Sequence, residues 1–163
     1  VGGSIYGRYG FSDVLTALLA LDTFVELYNG GTVRLSEFVN RKPDKDILLS
    51  VIIRKGKRQF RYQSIRRTKT DFPVIACAVV TGIVHGKESW YISVGARPMK
   101  AALLEKHWEI PDDASEEEIE KYASEAASEF TYGTNMRGSA DYRRHLTEVL
   151  LRREISSILA ERR

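Results

Sequence analysis

The sequence predicts an α+β fold, on three observations. Apolar and β-branched runs flank the turn signals Asn29-Gly30-Gly31 and His85-Gly86-Lys87, as antiparallel hairpins do. Apolar residues at helical spacing dominate the last third of the chain. No repeat or low-complexity tract interrupts the 163 residues. With 25 Lys+Arg against 22 Asp+Glu and 43% hydrophobic residues, the composition excludes a disordered tail and a collagen-like polymer.

The opening Gly2-Gly3, running on through Gly7, Tyr9 and Gly10, reads as a loop. Ser12 is a good N-cap for a short helix in which Val14, Leu15, Leu18 and Leu19 recur, ending near Leu21. A strand over 24–28 and its partner over 32–35 follow, then a helical turn over 36–39. Pro43-Asp44-Lys45-Asp46 breaks the chain before 47–53, whose continuous apolar character predicts a buried strand. The character of the chain changes at Lys55-Gly56-Lys57, so residues 1–56 and 57–163 are expected to form separate domains. In the second, strands over 58–64, 74–84 and 89–94 give a three-stranded antiparallel sheet. It is expected to pack against three helices over 98–106, 115–130 and 139–160. Ser115 and Glu118 form a capping box, and Ile119, Tyr122, Ala126 and Phe130 share a face. The stripe of Tyr142, Leu146, Val149, Leu150, Ile155, Ile158 and Leu159 is either core or a subunit contact.

The longest apolar runs, such as 14–21 with Thr16 inside it, fall short of the roughly 20 residues that span a bilayer. The start Val1-Gly2-Gly3-Ser4 lacks the basic segment and apolar core of a signal peptide. A cytoplasmic protein without a membrane role is expected. Cys77 has no partner for a disulfide and lies in an apolar run, as a buried thiol does. His85, His107 and His145 have neither metal-ligand spacing nor a nucleophile beside them. The carboxylates Asp112, Asp113, Glu116, Glu117 and Glu118 sit at a helix start, where they complement the dipole. The basic clusters Arg54-Lys55-Gly56-Lys57-Arg58 and Arg66-Arg67-Thr68-Lys69 read as solvated turns rather than a nucleic-acid track.

Gly2-Gly3-Ser4, followed nine residues later by Asp13, is the informative element. Adjacent glycines let the backbone approach a bulky anion and present N–H donors to it, and Ser4 adds a hydroxyl. The helix starting near Ser12 adds a favourable field for phosphate. Asp13 would repel phosphate but accepts hydrogen bonds from sugar or polyol hydroxyls. A nucleotide cofactor satisfies both demands, while a Gly-Gly turn beside a helix-stabilising Asp remains the simpler alternative.

The stretch VGGSIYGRYGFSDVLTALLALD resembles the second FAD-contacting segment in the flavoprotein subunits of molybdenum hydroxylases, the family of xanthine dehydrogenases and aerobic carbon monoxide dehydrogenase. Further similarity runs in order through Ser36-Glu37-Phe38-Val39, Ile47-Leu48-Leu49-Ser50-Val51, Arg67 with Asp71, and Val94-Gly95-Ala96-Arg97-Pro98. Arg137-Gly138-Ser139-Ala140-Asp141-Tyr142-Arg143-Arg144 resembles the family's C-terminal signature, and Arg152-Arg153 follow as expected.

The resemblance implies a subunit that binds FAD and passes electrons between iron–sulfur clusters on a partner subunit and an external acceptor such as NAD. Hydroxylation would take place on a molybdopterin-binding catalytic subunit. Carried over residue by residue, Gly2, Gly3 and Ser4 would line the dinucleotide site, Asp13 would bond a cofactor hydroxyl, and Leu48 or Leu49 would pack near the flavin. Many relatives carry a lysine or other polar residue where Tyr62 or Gln63 stands here. Residues 1–56 would be the remainder of an FAD-binding domain, whose N-terminal half, with another glycine-rich loop, is expected as a partner segment outside these residues. With one cysteine, the chain is not expected to carry iron–sulfur clusters itself. The rival expectations are a non-catalytic subunit-docking module and a nucleic-acid binder using the two basic clusters.

Overall fold

Helix α1 (Gly2–Tyr6) stands where a loop is expected, its only fully buried side chain being Ile5. In this computed structural model, residues 1–42, 45–84 and 86–162 are described. Ser12 caps α2 (Asp13–Ala20) as predicted, its hydroxyl accepting from the Leu15 N–H at 3.1 Å. Strands β1 (Thr23–Leu27) and β2 (Gly31–Arg34) form the expected hairpin, and Gly31 takes the left-handed conformation (φ 63°) that the turn needs. The single turn α3 (Leu35–Phe38) leads on to β3 (Leu48–Ile53), which pairs antiparallel with β1. The first sheet therefore runs β2-β1-β3. Strand β3 is an edge strand rather than the buried one predicted: Leu49, Ile52 and Ile53 are exposed. The predicted break before it is partly outside the described residues, at Pro43 and Asp44.

Sheet membership changes between Ile53 and Gln59. Strands β4 (Gln59–Ile65), β5 (Ile75–Val84), β6 (Lys87–Gly95) and β7 (Ala102–Lys106) form a second antiparallel sheet in the order β4-β5-β6-β7. In the predicted β5–β6 turn His85 lies outside the described residues, while Gly86 has φ 77°. The predicted helix over 98–106 is absent, and with β7 in its place the sheet has four strands rather than three. Residues 101–106 consist of good helix formers, but their alternation fits two cores. Ala102 and Leu104 pack on one side of the sheet, Ala101 and Leu103 on the other.

Two helices follow instead of three, α4 (Glu116–Ser128) and α5 (Ala140–Arg162). The Ser115–Glu118 capping box forms, and Ile119, Tyr122, Ala126 and Phe130 join the main core. From α5, Leu146, Leu150, Ile155, Ile158 and Leu159 do the same, while Tyr142 is exposed. This core lies between α4, α5 and one face of the sheet, with Trp90 wholly buried at its centre. Cys77 points into it, and burial pushes its thiol well above the ordinary range. Helix α2 covers the other face, packing on β5, β6 and β7, so Ala78 and Val80 are buried there. Coverage on both faces explains why β5 reads as an unbroken apolar run.

Candidate functional site

Helix geometry leaves the first N–H groups of α1 without intrahelical acceptors, and Val1 provides no side-chain cap. Gly2 and Gly3 are exposed there, and a β-carbon built on either meets nothing within 4 Å. The fold itself therefore does not require glycine at these positions. What their absent side chains leave is open approach to a row of backbone donors, with the half-buried Ser4 beside them. Helix α1 packs on both α2 and β3. The Tyr6 hydroxyl donates to the Asp46 carbonyl at 2.7 Å, which fixes α1 against the approach to β3. That packing puts Gly2, Gly3 and Ser4 on an element adjoining the strand that carries Leu48 and Leu49. These two leucines face opposite ways. Leu48 packs into the core beneath α1 and β1, whereas Leu49 is 54% exposed.

Asp13, in the first turn of α2, is held from β4 and the segment after it. The Tyr62 hydroxyl donates to Asp13 Oδ1 at 2.5 Å, and Arg66 Nη2 approaches the same oxygen at 2.6 Å. Burial, reinforced by the Asp13 carboxylate, pushes the Tyr62 phenol well above its ordinary value, so it stays protonated and donates. The hydrogen bond to Asp13 raises Arg66 as well, although burial opposes it. Asp13 remains about two-fifths exposed, enough for the carboxylate to receive a further donor from solvent or a ligand.

This group extends toward the C-terminal signature. Arg66 Nη1 donates to the Asp71 carbonyl at 2.8 Å, and Arg137 Nη2 donates to Asp71 Oδ1 at 3.1 Å. The Arg137 hydrogen bond, with the Phe72 N–H, holds the Asp71 carboxyl below its usual range. Arg67 Nη2 donates to the Met136 carbonyl at 3.0 Å. Ser139 caps α5 by accepting from the Tyr142 N–H at 3.1 Å. The signature 137–144 thus starts a helix and ties it to the loop between β4 and β5.

The sequence marks Asp13 but not the groups that orient it. Tyr62 and Arg66 lie four residues apart flanking the end of β4, and no local pattern pairs them with a helix-start residue 49 and 53 positions earlier. The basic cluster that contains Arg66 is therefore partly an internal anchor rather than a solvated turn.

Solved structures share this architecture. Quinoline 2-oxidoreductase from Pseudomonas putida 86 superposes with a TM-score of 0.77 at 17% identity, covering 98% of this chain and 60% of that one. Reconstituted CO dehydrogenase from Oligotropha carboxidovorans gives 0.75 at 19% identity, covering 98% and 60%. At these identities the likeness is one of fold. The uncharacterized protein YgfM of Escherichia coli K12 is 26% identical over 151 residues, which is 93% of this chain and 55% of that protein. The chain thus spans about half the length of the curated relatives it matches. Residues 60–158, from β4 to near the end of α5, match the family described as the CO dehydrogenase flavoprotein C-terminal domain. By that match, across well over half its length, the chain belongs to the CO dehydrogenase flavoprotein C-terminal domain family.

Proposed function

We propose that this chain is the C-terminal portion of an FAD-binding subunit in a molybdenum-dependent dehydrogenase or hydroxylase. In this reading residues 1–56 are the remainder of the FAD-binding domain and residues 57–163 are the flavoprotein C-terminal domain. The observation that carries it is the pair Gly2 and Gly3, whose positions the fold leaves open on a donor-lined helix start adjoining β3. The donor set fits a dinucleotide. Backbone N–H groups and the Ser4 hydroxyl suit phosphate oxygens, the half-exposed Asp13 carboxylate suits a ribityl or ribose hydroxyl, and the exposed Leu49 offers apolar surface to a ring.

When bound, FAD supplies reversible electron transfer between one-electron and two-electron partners. The residues of this chain hold and orient it. Tyr62 and Arg66 both bond Asp13 Oδ1, which fixes the carboxylate in direction. Electrons would arrive from the clusters of an iron–sulfur subunit and leave to an external acceptor such as NAD, with substrate oxidised on a molybdopterin-binding subunit. The remaining half of the cofactor cleft would come from the segment that relatives carry before this region, in a cytoplasmic complex without a role for nucleic acid or membrane.

Purification of the subunit as its gene encodes it tests this reading. Copurifying FAD with a flavin absorbance band is expected. A subunit that elutes without flavin, and takes none up when FAD is added, would overturn it.

A further inference from the structure

A cavity of about 400 Å³ opens where the α1–α2 loop, the loop before β5, the β6–β7 loop and the start of α5 meet. Three arginines line it, Arg8, Arg137 and Arg143. Arg8 is 7% exposed and Arg143 only 1%. Among the described residues, no carboxylate lies within ion-pair distance of Arg8 or Arg143, whereas Arg137 is paired with Asp71. Arg8 Nη1 donates to the Arg41 carbonyl at 2.9 Å. Arg143 donates to the carbonyls of Val74 and Ala96 and to Asn135 Oδ1. Those acceptors are neutral, and the Nε of all three arginines is buried without a hydrogen-bond partner among the described residues. Arg8 and Arg143 are thus buried charges without a counter-ion, each with an orphaned donor; the Phe38 ring, 4.3 Å from the Arg8 guanidinium carbon, eases the charge of Arg8 but takes no hydrogen bond from its Nε, and an anion would supply the missing acceptors.

Aromatic side chains line the cavity as well. Tyr9 and Phe11 stack at 5.4 Å with an interplanar angle of 9°, and Phe11 meets Phe72 at 4.3 Å. Tyr9 covers one face of Phe11, and Arg137 lies 5.5 Å over the ring of Phe72, yet Phe11 and Phe72 remain 43% and 49% exposed, which leaves ring surface for a ligand. The loop that carries Arg8 and Phe11 is clamped in place. The Ala96 N–H donates to the Gly10 carbonyl at 2.5 Å, and Gly10 lies so close to the Met99 carbonyl that no β-carbon fits. Arg8 and Ala96 both take left-handed backbone conformations, at φ 51° and 58°, and both border the cavity. Backbone strain of this sort concentrates at ligand sites.

We propose that this cavity binds a ligand in which an oxyanion, carboxylate or phosphate, is carried on a flat ring. The guanidinium of Arg8 and the buried edge of Arg143 take the oxyanion, and Phe11 with Phe72 takes the ring. This site is separate from the donor row of α1, and it does not depend on the flavin reading.

Calorimetric titration of the full chain with benzoate and with phenyl phosphate tests the proposal, with acetate and inorganic phosphate as ringless controls. One ringed anion is expected to bind about tenfold or more tightly than its ringless counterpart, and its identity tells carboxylate from phosphate. Arg8→Gln is expected to weaken that ligand by about tenfold or more, with unchanged circular dichroism. Phe72→Ala, at a half-exposed position, is expected to weaken the ringed ligand alone and keeps the test valid should Arg8→Gln fail to fold. Absence of binding, equal binding of ringed and ringless anions, indifference to both substitutions, or displacement of the ringed ligand by FAD would each overturn the proposal.

Discussion

The Tyr62 hydroxyl donates a 2.5 Å hydrogen bond to Asp13 Oδ1, tying strand β4 to the first turn of helix α2. The two residues stand 49 positions apart and on opposite sides of the change from one sheet to the other. Asp13 is also the carboxylate proposed to meet a cofactor hydroxyl, so its direction is set by a part of the chain remote in sequence.

Tyr62→Phe removes only the hydroxyl. A hydrogen bond to a charged group contributes about 1.5–3 kcal/mol when buried, and the partial exposure of Asp13 brings the expected loss to about 1 kcal/mol. Chemical denaturation of Tyr62→Phe, Asp13→Asn and the double variant should show coupling, with the pair costing less than the sum. Strict additivity would mean that the contact adds nothing to stability.

Glu154 supplies a pH signature. Its side chain is wholly buried in α5, and burial pushes its carboxyl up to about 8 from an ordinary value of 4.5. Across that window the folded chain keeps a proton that the unfolded chain has released. Stability from this group is therefore full below the ordinary carboxylate range and declines as pH rises toward 8, at roughly 1.4 kcal/mol per pH unit. Denaturation midpoints at about pH 5 and about pH 8 should differ in that direction. Glu154→Gln should flatten the slope, and a wild-type midpoint that rises over the window would contradict the assignment.

Packing of α2 on β6 is tight at Gly95. A β-carbon there would overlap the Thr16 hydroxyl and stand only 3.2 Å from the Thr16 β-carbon. That hydroxyl is already committed, donating to the Ser12 carbonyl at 3.0 Å. Gly95→Ala should cost about 2 kcal/mol or more by overpacking. Adding Thr16→Ala should recover part of the loss in thermal unfolding, although Thr16→Ala alone destabilises. A double variant no more stable than Gly95→Ala alone would place the strain elsewhere.

Much of this architecture was legible locally. The Ser12 cap, the Ser115–Glu118 box and the hairpins at Gly31 and Gly86 follow from nearest-neighbour chemistry, and the structure keeps them. The failures are tertiary. Residues 101–106 favour a helix intrinsically, but a free edge on β6 and cores on both sides favour a strand. Strand β3 looks buried by composition, yet it lies at the edge of its sheet. Gly2 and Gly3 argue against a helix by propensity, while Ile5 anchors α1 to the core.

At the site the same division holds. The glycine pair, Ser4 and Asp13 could be picked out because they are close in sequence. Tyr62 and Arg66 converge on Asp13, and Arg8 and Arg143 converge on the arginine cavity, only once the sheets and helices have packed. Arg143 stood within a recognised signature, but its burial beneath the β6–β7 loop carries no local signal.

The most direct test of the account is the flavin content and melting temperature of Gly3→Val in the subunit as encoded. Because a β-carbon at Gly3 meets nothing in the fold, the variant should melt within a degree or so of the wild type. A side chain placed over the donor row should nevertheless exclude the dinucleotide, so wild-type protein should carry FAD and the variant should lose nearly all of it. Wild-type protein free of flavin, or a variant that retains its full complement, would contradict the claim that this backbone cradle holds the cofactor.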